Sequence, residues 1–215
     1  MVVQKFGGTS VADPDAIQRL INIVRQARSR DGRGPAVVVS AMSGVTDSLL
    51  GIAAAAGGGR LDDALSRIEQ LRERHLTVAA ALASNETKGA LGTQIIGQFD
   101  DLVALARALS VIREVSARSL DVVAAAGELL SSRIVAAALH EAGIPAEWVD
   151  ARRVVITNGD HTRAVPLAAE TEMVVRVRNT FNPRVRGTRI GPVIENDSST
   201  ALLSDCHNST LRGEA

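Results

Sequence analysis

The sequence predicts an α/β fold built on a mainly parallel β-sheet. Two segments with strand character, residues 2–6 and 36–40, are separated by a helical pattern that begins at Asp13-Pro14 and continues to residue 30. A strand, a helix and a second strand at this spacing form a βαβ unit. The second segment is continuously apolar from Ala36 to Val39, which is typical of strands buried on both faces of a parallel sheet. The chain therefore begins with the unit from which parallel α/β sheets are built.

Helical periodicity dominates the middle of the chain, from Thr46 to Gly143. The pattern predicts four helices, near residues 46–56, 61–84, 89–115 and 117–142. Breaks are expected at Gly57-Gly58-Gly59 and at Asn85-Glu86-Thr87, because these residue types interrupt helices. Further along, we expect strands at residues 146–149, 154–157 and 174–180, with turns at Asn158-Gly159-Asp160 and Asn182-Pro183.

The composition argues against several classes of partner. Acidic and basic residues balance at 24 each, so electrostatics favours neither nucleic acid nor a membrane surface. Aromatic residues make up 2% of the chain, too few for base-stacking platforms. The single cysteine, Cys206, excludes an internal disulfide and fits a reducing compartment. The start of the chain has no signal-peptide pattern, and the longest apolar run, residues 49–56, is too short to span a bilayer. We expect a cytoplasmic protein.

A glycine-rich loop follows the first strand. Lys5-Phe6-Gly7-Gly8-Thr9-Ser10 places two glycines and two hydroxyl residues where the strand ends, and the bare N–H groups of such loops hold anions in α/β sheets. Lys5 is one of two lysines in a chain with 22 arginines, and a lysine ammonium serves phosphate as a movable point charge. A plain strand-to-helix turn, with glycine supplying an unusual φ, would give the same pattern. The loop alone leaves both interpretations open.

A second polar loop follows the second strand. The run Ser40-Ala41-Met42-Ser43-Gly44-Val45-Thr46-Asp47 brings hydroxyl residues to a carboxyl end of the sheet, where open α/β folds bind ligands. A helix is predicted to begin at Thr46 or Asp47, and its free N–H groups would attract an anionic substrate. A helix cap would account for Thr46 but not for the two serines and the glycine, so we favour a functional loop.

Glu128 is the third candidate. Its helical neighbours are small residues, namely Ala124, Ala125, Ser131 and Ser132. A carboxylate on such a face, beside a glycine, leaves room for a ligand to approach. Taken by itself, Glu128 is better explained as a solvated surface residue, so its interpretation depends on the two loops.

Together these segments resemble the aspartokinase branch of the amino-acid kinase family. The resemblance rests on residues 5–11, 37–47 and 127–131, followed by Ala146-Glu147-Trp148-Val149-Asp150-Ala151-Arg152 and Thr157-Asn158. They occur in the order and roughly the spacing of the family. Residues 177–183 with Gly187-Thr188 look like the strand that closes an aspartokinase catalytic domain.

The resemblance implies a three-layer αβα sandwich of the amino-acid (carbamate) kinase type and phosphoryl transfer from ATP with Mg²⁺ to the β-carboxylate of L-aspartate. The product, aspartyl phosphate, would open the route to lysine, threonine and methionine. Lys5 would be catalytic and would neutralise charge on the transferring phosphoryl group. The nucleotide- and phosphate-binding residues implied are Lys5, Gly7, Gly8, Thr9, Ser10 and Ser40. Thr46 would hold a carboxylate of aspartate and Glu128 its ammonium. The resemblance assigns no metal ligand to these residues.

The sequence departs from the family pattern after Ala164-Val165-Pro166. The family continues with a Thr-Leu-Gly-Arg-Gly-Gly-Ser-Asp segment and a Trp-Thr-Asp-Val-Asp-Gly segment, and this sequence contains neither. We therefore expect a truncated kinase domain over residues 1–192. It would comprise a substrate-binding half (1–168) and a closing strand and turn (173–192), followed by a polar, poorly ordered tail (193–215).

Two classes of function stay open. One is an aspartate kinase, and the other is a catalytically impaired remnant that binds aspartate or associates with an intact kinase subunit through an open sheet edge. Both are compatible with a homo-oligomer. A kinase acting on glutamate, acetylglutamate or a nucleotide is a third alternative, against which Lys5–Ser10 and the Asn179–Pro183 strand argue.

Overall fold

The computed structural model of the chain describes residues 2–32, 34–153, 175–177 and 188–190. Within them, five α-helices accompany two pairs of short strands, which confirms the expected α/β class. The elements in chain order are β1 (Val3–Phe6), α1 (Pro14–Asp31), β2 (Ala36–Val39), α2 (Val45–Gly57), α3 (Leu61–Leu82), α4 (Asn85–Ile112), α5 (Ala117–Glu141), β3 (Val175–Val177) and β4 (Thr188–Ile190). Single turns of 3₁₀-helix occupy Gly8–Ser10 and Ala151–Arg153.

The first two strands pair in parallel, as the βαβ pattern predicts. Lys5 lies opposite Val38, and Phe6 lies opposite Val39. Side chains alternate between the faces of a strand, and here Phe6 is buried whereas Lys5 and Val38 are exposed. The helical core therefore covers the Phe6 face, and Lys5 lies on the opposite face. The second pair, β3 with β4, is antiparallel, and β3 also contacts β1.

Helix α1 begins and ends as its sequence indicates. The Asp13 side chain caps the helix by accepting a hydrogen bond from the Ala16 N–H at 2.8 Å, and Pro14 occupies the first helical position. At the other end, Gly32 adopts a left-handed φ of 65°, the conformation that favours glycine after a helix.

Helices α2 to α5 form the main core, with α5 in contact with β2 and with each of the other four helices. Large side chains fill its centre, among them Phe99, Ile52 and Leu130. In the part of the chain that the structure describes, α5 is the one helix long and apolar enough to cross a membrane, and half of its most apolar window is buried inside the protein. Its contacts are those of a core helix.

The prediction of a strand at residues 146–149 is wrong. The segment from Ile144 to Asp150 has no regular secondary structure, because its side chains anchor it to α5 instead of to β2. The Trp148 indole N–H donates to Ser132 Oγ at 2.9 Å, and the Arg133 guanidinium lies 3.9 Å from the centre of the Trp148 ring. The tryptophan thus packs against a helix through a hydrogen bond and a cation–π contact.

The expected break at Asn85-Glu86-Thr87 is also wrong, since α4 begins at Asn85. The chain is interrupted one or two residues earlier, at Ala83 and Ser84. The hydroxyls of Ser84 and Thr87 donate to Glu141 Oε1 at 3.0 and 2.5 Å. These bonds tie the start of α4 to the end of α5, and they lower the pKa of Glu141 because they favour the charged carboxylate.

Several predictions concern residues at the end of the chain. The strand expected at 174–180 is confirmed over Val175–Val177. The strand at 154–157, the turns at 158–160 and 182–183, and the tail at 193–215 lie outside the described residues. The domain boundaries at 168, 173 and 192 stay predictions.

Candidate functional site

The first loop makes a single helical turn immediately after β1. The Ser10 N–H donates to the Gly7 carbonyl at 2.9 Å, and Ser10 is buried while Thr9 is exposed. The N–H groups of Gly8 and Thr9 precede the first hydrogen bond of this turn, so they have no partner within it. Ser10 differs from these two residues, because its side chain is buried and its N–H already forms a hydrogen bond.

The second loop leaves β2 at Ser40, whose N–H donates to the Phe6 carbonyl at 3.0 Å. It ends at Gly44, which has a φ of 75° and stands at the start of α2. Because glycine adopts this left-handed conformation without strain, α2 begins at Val45, one residue earlier than predicted. Thr46 is exposed in the first turn of the helix.

The two loops touch each other directly. The Ser43 N–H donates to the Gly8 carbonyl at 3.1 Å. A Cβ atom at Gly8 would lie 2.9 Å from the Ala41 carbonyl oxygen, closer than real side chains approach a backbone oxygen. Glycine at position 8 therefore allows the loops to meet.

Helix α5 brings Glu128 to the same place. A Cβ atom at Gly127 would lie 2.9 Å from Ala41 Cβ and 3.1 Å from Val45 Cγ1, so α5 packs closely on the second loop. Ser131 Oγ donates to the Ser40 carbonyl at 2.8 Å. Glu128, next to Gly127, is exposed, so its side chain is accessible on α5 one residue from the contact with the second loop. The two loops and this part of α5 form a junction.

Arg74 on α3 also belongs to this junction, and no sequence pattern predicts its contacts there. Its Nη1 donates to the Ser43 carbonyl at 2.9 Å, and its Nη2 donates to the Ala12 carbonyl at 3.2 Å. These partners lie 31 and 62 residues away in the chain. An arginine near the middle of an amphipathic helix predicts only a solvated side chain, so no local pattern reveals the contact.

The junction offers charges of both signs to a ligand. Among the described residues, neither Lys5 nor Glu128 forms an ion pair. Lys5 is exposed on β1, two residues before the first loop. The structure thus brings together Gly7–Ser10, Ser40, Thr46 and Glu128 through the contacts between their segments. It places Lys5 at the same strand end, and no ion pair joins Lys5 to Glu128.

Metal ligands are a separate matter. The residues that the structure describes contain no group of three histidine, cysteine or acidic side chains able to hold a metal ion. A divalent cation at the junction would therefore lack a set of protein ligands from this part of the chain, and we assign it none.

A groove of about 490 Å³ lies beside β2, on the side where residues 145–149 follow α5. Arg28 of α1, Val37 and Val39 of β2, and Pro145 and Trp148 are among the residues that line it. It contains none of the predicted site residues.

Comparison with known proteins identifies the family. The sequence matches the amino acid kinase family over residues 1–209. The chain belongs to this family. The predicted resemblance to aspartokinases is also confirmed, since aspartokinases are among the curated relatives that the chain matches. It is 35% identical to the aspartokinase of Chlamydia trachomatis over 165 residues, which cover 77% of this chain and 34% of that protein. It is 32% identical to the lysine-sensitive aspartokinase 3 of Escherichia coli over 174 residues, which cover 80% of this chain and 36% of that protein.

Solved structures agree with this assignment. The chain is similar to aspartokinase III of E. coli in complex with aspartate and ADP, with a TM-score of 0.67 and 29% identity, over 77% of this chain and 34% of that chain. The likeness confirms that the fold is that of an amino acid kinase. The chain spans between 16% and 36% of the length of the curated relatives it matches.

Proposed function

We propose that the chain is the aspartate-binding part of an aspartate kinase, with ATP as the phosphoryl donor. The observation that carries the proposal is the junction of the two loops with the Gly127–Ser131 segment of α5. It lies at the carboxyl ends of β1 and β2, the place where open α/β sheets bind ligands. The similarity to a kinase solved with aspartate and ADP supports the choice of ligands.

The proposed roles are those that the resemblance to aspartokinases implies, and the exposure of the side chains is compatible with them. The exposed Glu128 carboxylate would bind the ammonium of aspartate, and the Thr46 hydroxyl would bind one of its carboxylates. Gly7, Gly8, Thr9 and Ser40 would line the phosphate side. Ser10, which is buried, would support the turn from inside.

Lys5 would assist the chemical step. In that step an oxygen of the aspartate β-carboxylate forms a bond to the γ-phosphorus of ATP, the bond to the bridging oxygen breaks, and ADP leaves. Negative charge is spread over the transferring phosphoryl group, and an ammonium beside it lowers the barrier by electrostatic stabilisation. Mg²⁺ would enter with the ATP phosphates, and its chemistry is charge neutralisation.

A wider setting follows from the same proposal. The product would be aspartyl phosphate, made in the cytoplasm as the first step toward lysine, threonine and methionine. We propose the same division of the chain as before, with a substrate-binding half at 1–168, a closing strand and turn at 173–192, and a polar tail at 193–215.

Calorimetric titration with aspartate and, separately, with ATP and Mg²⁺ tests the proposal. We expect aspartate to bind, and Glu128→Gln to weaken its affinity about tenfold or more, because a charged hydrogen-bond partner of the ammonium is lost. Glu114→Gln, a matched change at another exposed glutamate, should leave the affinity unaltered. An absence of aspartate binding by the unmodified chain would rule out the proposed function.

A second candidate is a catalytically impaired remnant that binds aspartate or associates with an intact kinase subunit or a second copy of itself. It is favoured by the lack of the Thr-Leu-Gly-Arg-Gly-Gly-Ser-Asp segment from the sequence. Aspartate binding without nucleotide binding in the same titrations would favour this candidate over an active kinase.

A further inference from the structure

Arg74 joins the two loops of the proposed site from outside. Its guanidinium donates one hydrogen bond to the carbonyl of Ser43, in the second loop, and one to the carbonyl of Ala12, just after the first loop. We propose that Arg74 is a positioning residue that fixes the spacing between these loops. The consequence of this spacing for ligand binding rests on the proposed function.

The two carbonyls need donors that the local backbone does not supply. Ala12 lies in the bend between the first loop and α1, and Ser43 lies in the turn before α2, so neither belongs to a helix or strand. Backbone carbonyls outside regular structure require other partners. A guanidinium is planar and carries donors in a fixed fork, so one side chain serves both oxygens at a defined separation.

The position from which Arg74 reaches the loops is rigid. The next residue on α3, His75, is fully buried, and its Nδ1 lies 2.6 Å from the Leu71 carbonyl. The His75 ring also meets Phe99 of α4 edge to face, with ring centres 5.4 Å apart. Since α3 is fixed in the core at this point, the guanidinium holds the loops relative to the core as well as to each other.

Other contacts hold the second loop from different sides. The Ser43 N–H bonds to the Gly8 carbonyl, and the Ser40 carbonyl accepts from Ser131 Oγ. Arg74 differs from these because one side chain of a third element, α3, bonds to both loop regions at once. Its removal should therefore loosen the first loop against the second, and with it the distance between the phosphate side and the aspartate side of the site.

The substitution Arg74→Lys separates this role from that of a simple positive charge. Lysine keeps the charge but lacks the planar fork. If Arg74 acts only as a charge, the lysine variant should behave like the unmodified protein. If it acts by bonding to the Ser43 and Ala12 carbonyls at the same time, the lysine variant should resemble Arg74→Gln. Arg67→Lys is the matched control, because Arg67 lies two turns earlier on α3 and, among the described residues, bonds to Asp63 at the surface and to neither loop.

The first measurement is amide hydrogen exchange at Ser43, whose N–H bonds to Gly8, and it needs no ligand. We expect exchange at Ser43 to accelerate about tenfold in both Arg74 variants, the effect of losing about one hydrogen bond of stabilisation. Exchange at Ser43 should stay unaltered in Arg67→Lys. Circular dichroism checks that Arg74→Lys is folded. Unaltered exchange at Ser43 in that folded variant would overturn the proposal that Arg74 positions the two loops.

The second measurement is the affinity for aspartate in the same proteins. We expect both Arg74 variants to bind aspartate about five to ten times more weakly than the unmodified chain. If all of them bind aspartate equally well, Arg74 does not position the site. If the unmodified chain binds no aspartate while Ser43 exchange still depends on Arg74, the proposed function is wrong, but Arg74 still fixes the spacing between the two loops.

Discussion

His75 is a buried titratable side chain that the proposed site does not use. It has no exposed surface, its Nδ1 lies against the Leu71 carbonyl, and its Nε2 has no hydrogen-bond partner among the described residues. The neutral ring suits this place, because Nδ1–H can donate to the carbonyl while Nε2 stays unprotonated. A second proton would put an unpaired charge in the core. Burial accordingly lowers the pKa of His75 from 6.5 to about 4, and the nearby Arg74 charge acts in the same direction.

This lowered pKa makes the stability of the protein depend on pH. Between pH 6.5 and about 4 the unfolded chain binds a proton at His75 and the folded chain does not. The contribution of His75 is therefore complete above pH 6.5 and is lost as the pH falls through this window, by about 3 kcal/mol at most. Urea unfolding followed between pH 7 and pH 4 measures the loss.

A variant isolates the His75 contribution from that of other groups. His75→Leu keeps an apolar side chain of similar size and cannot titrate, and the Leu71 carbonyl keeps its helical hydrogen bond. The difference in unfolding free energy between the unmodified protein and this variant should shrink or reverse toward pH 4. A difference independent of pH would show that His75 titrates normally in the folded state.

At the scale of elements, close packing of α5 on the second loop depends on Gly127. The nearest atoms to a Cβ at this position would be Ala41 Cβ, Leu49 Cδ1 and Val45 Cγ1, at 2.9, 3.1 and 3.1 Å. The Ala41 atom is attached directly to the backbone, so relief requires α5 or the loop to move. A glycine inside a helix normally weakens it, which makes its presence here a consequence of packing.

Two glycine-to-alanine substitutions test this explanation against helix propensity. Gly127→Ala should destabilise the protein by about 1–2 kcal/mol, since overpacking outweighs the gain in propensity. Gly97→Ala is the matched control in α4, where an added Cβ meets nothing within 4 Å, and it should stabilise by about 0.5–1 kcal/mol. Chemical denaturation of both variants checks the opposite signs. A stabilising Gly127→Ala would mean that α5 lies farther from the loop.

The helices and strands also show which parts of the fold local sequence patterns can predict. The cap at Asp13-Pro14 and the periodicity of the helices are local signals, and they predicted α1 to α5 to within a few residues at most ends. The strand expected around Trp148 failed because the tryptophan bonds to Ser132 and Arg133, sixteen and fifteen residues earlier on α5, an arrangement no local pattern encodes. The start of α4 was misplaced for a similar reason, since Ser84 and Thr87 bond to the distant Glu141.

In the candidate site, too, local features could be predicted from the sequence and long-range contacts could not. Its loops were found from glycine and hydroxyl residues placed at strand ends, which is a local signal. The inward position of Ser10 and the contact between Gly8 and the second loop become apparent only after folding. Arg74 was missed altogether, because its two acceptors are main-chain carbonyls, and the identity of a residue does not reveal which carbonyl lacks a donor.

For the whole molecule, the decisive question is how much of a kinase this chain contains. Phosphoryl transfer depends almost wholly on positioning the reactants and neutralising charge. In the described part of the chain, neither the Lys5 ammonium nor the Glu128 carboxylate forms an ion pair. The same part offers no cluster of metal-ligating side chains. The Thr-Leu-Gly-Arg-Gly-Gly-Ser-Asp and Trp-Thr-Asp-Val-Asp-Gly segments of the family, which this sequence lacks, cannot contribute to that positioning.

We therefore predict that the 215-residue chain, assayed by itself, turns over very slowly. Kinases typically have a kcat of about 1–100 s⁻¹. The loss of a single charge-stabilising group from a phosphoryl-transfer site lowers kcat by about a thousandfold or more. A coupled assay of ADP release, with aspartate and ATP–Mg²⁺ in excess, should accordingly give a rate at least about a thousandfold below that range. Lys5→Met, which removes the ammonium, serves as the background. Aspartate-dependent turnover within the usual range, abolished by Lys5→Met, would contradict the prediction and show that the described junction belongs to a complete catalytic site.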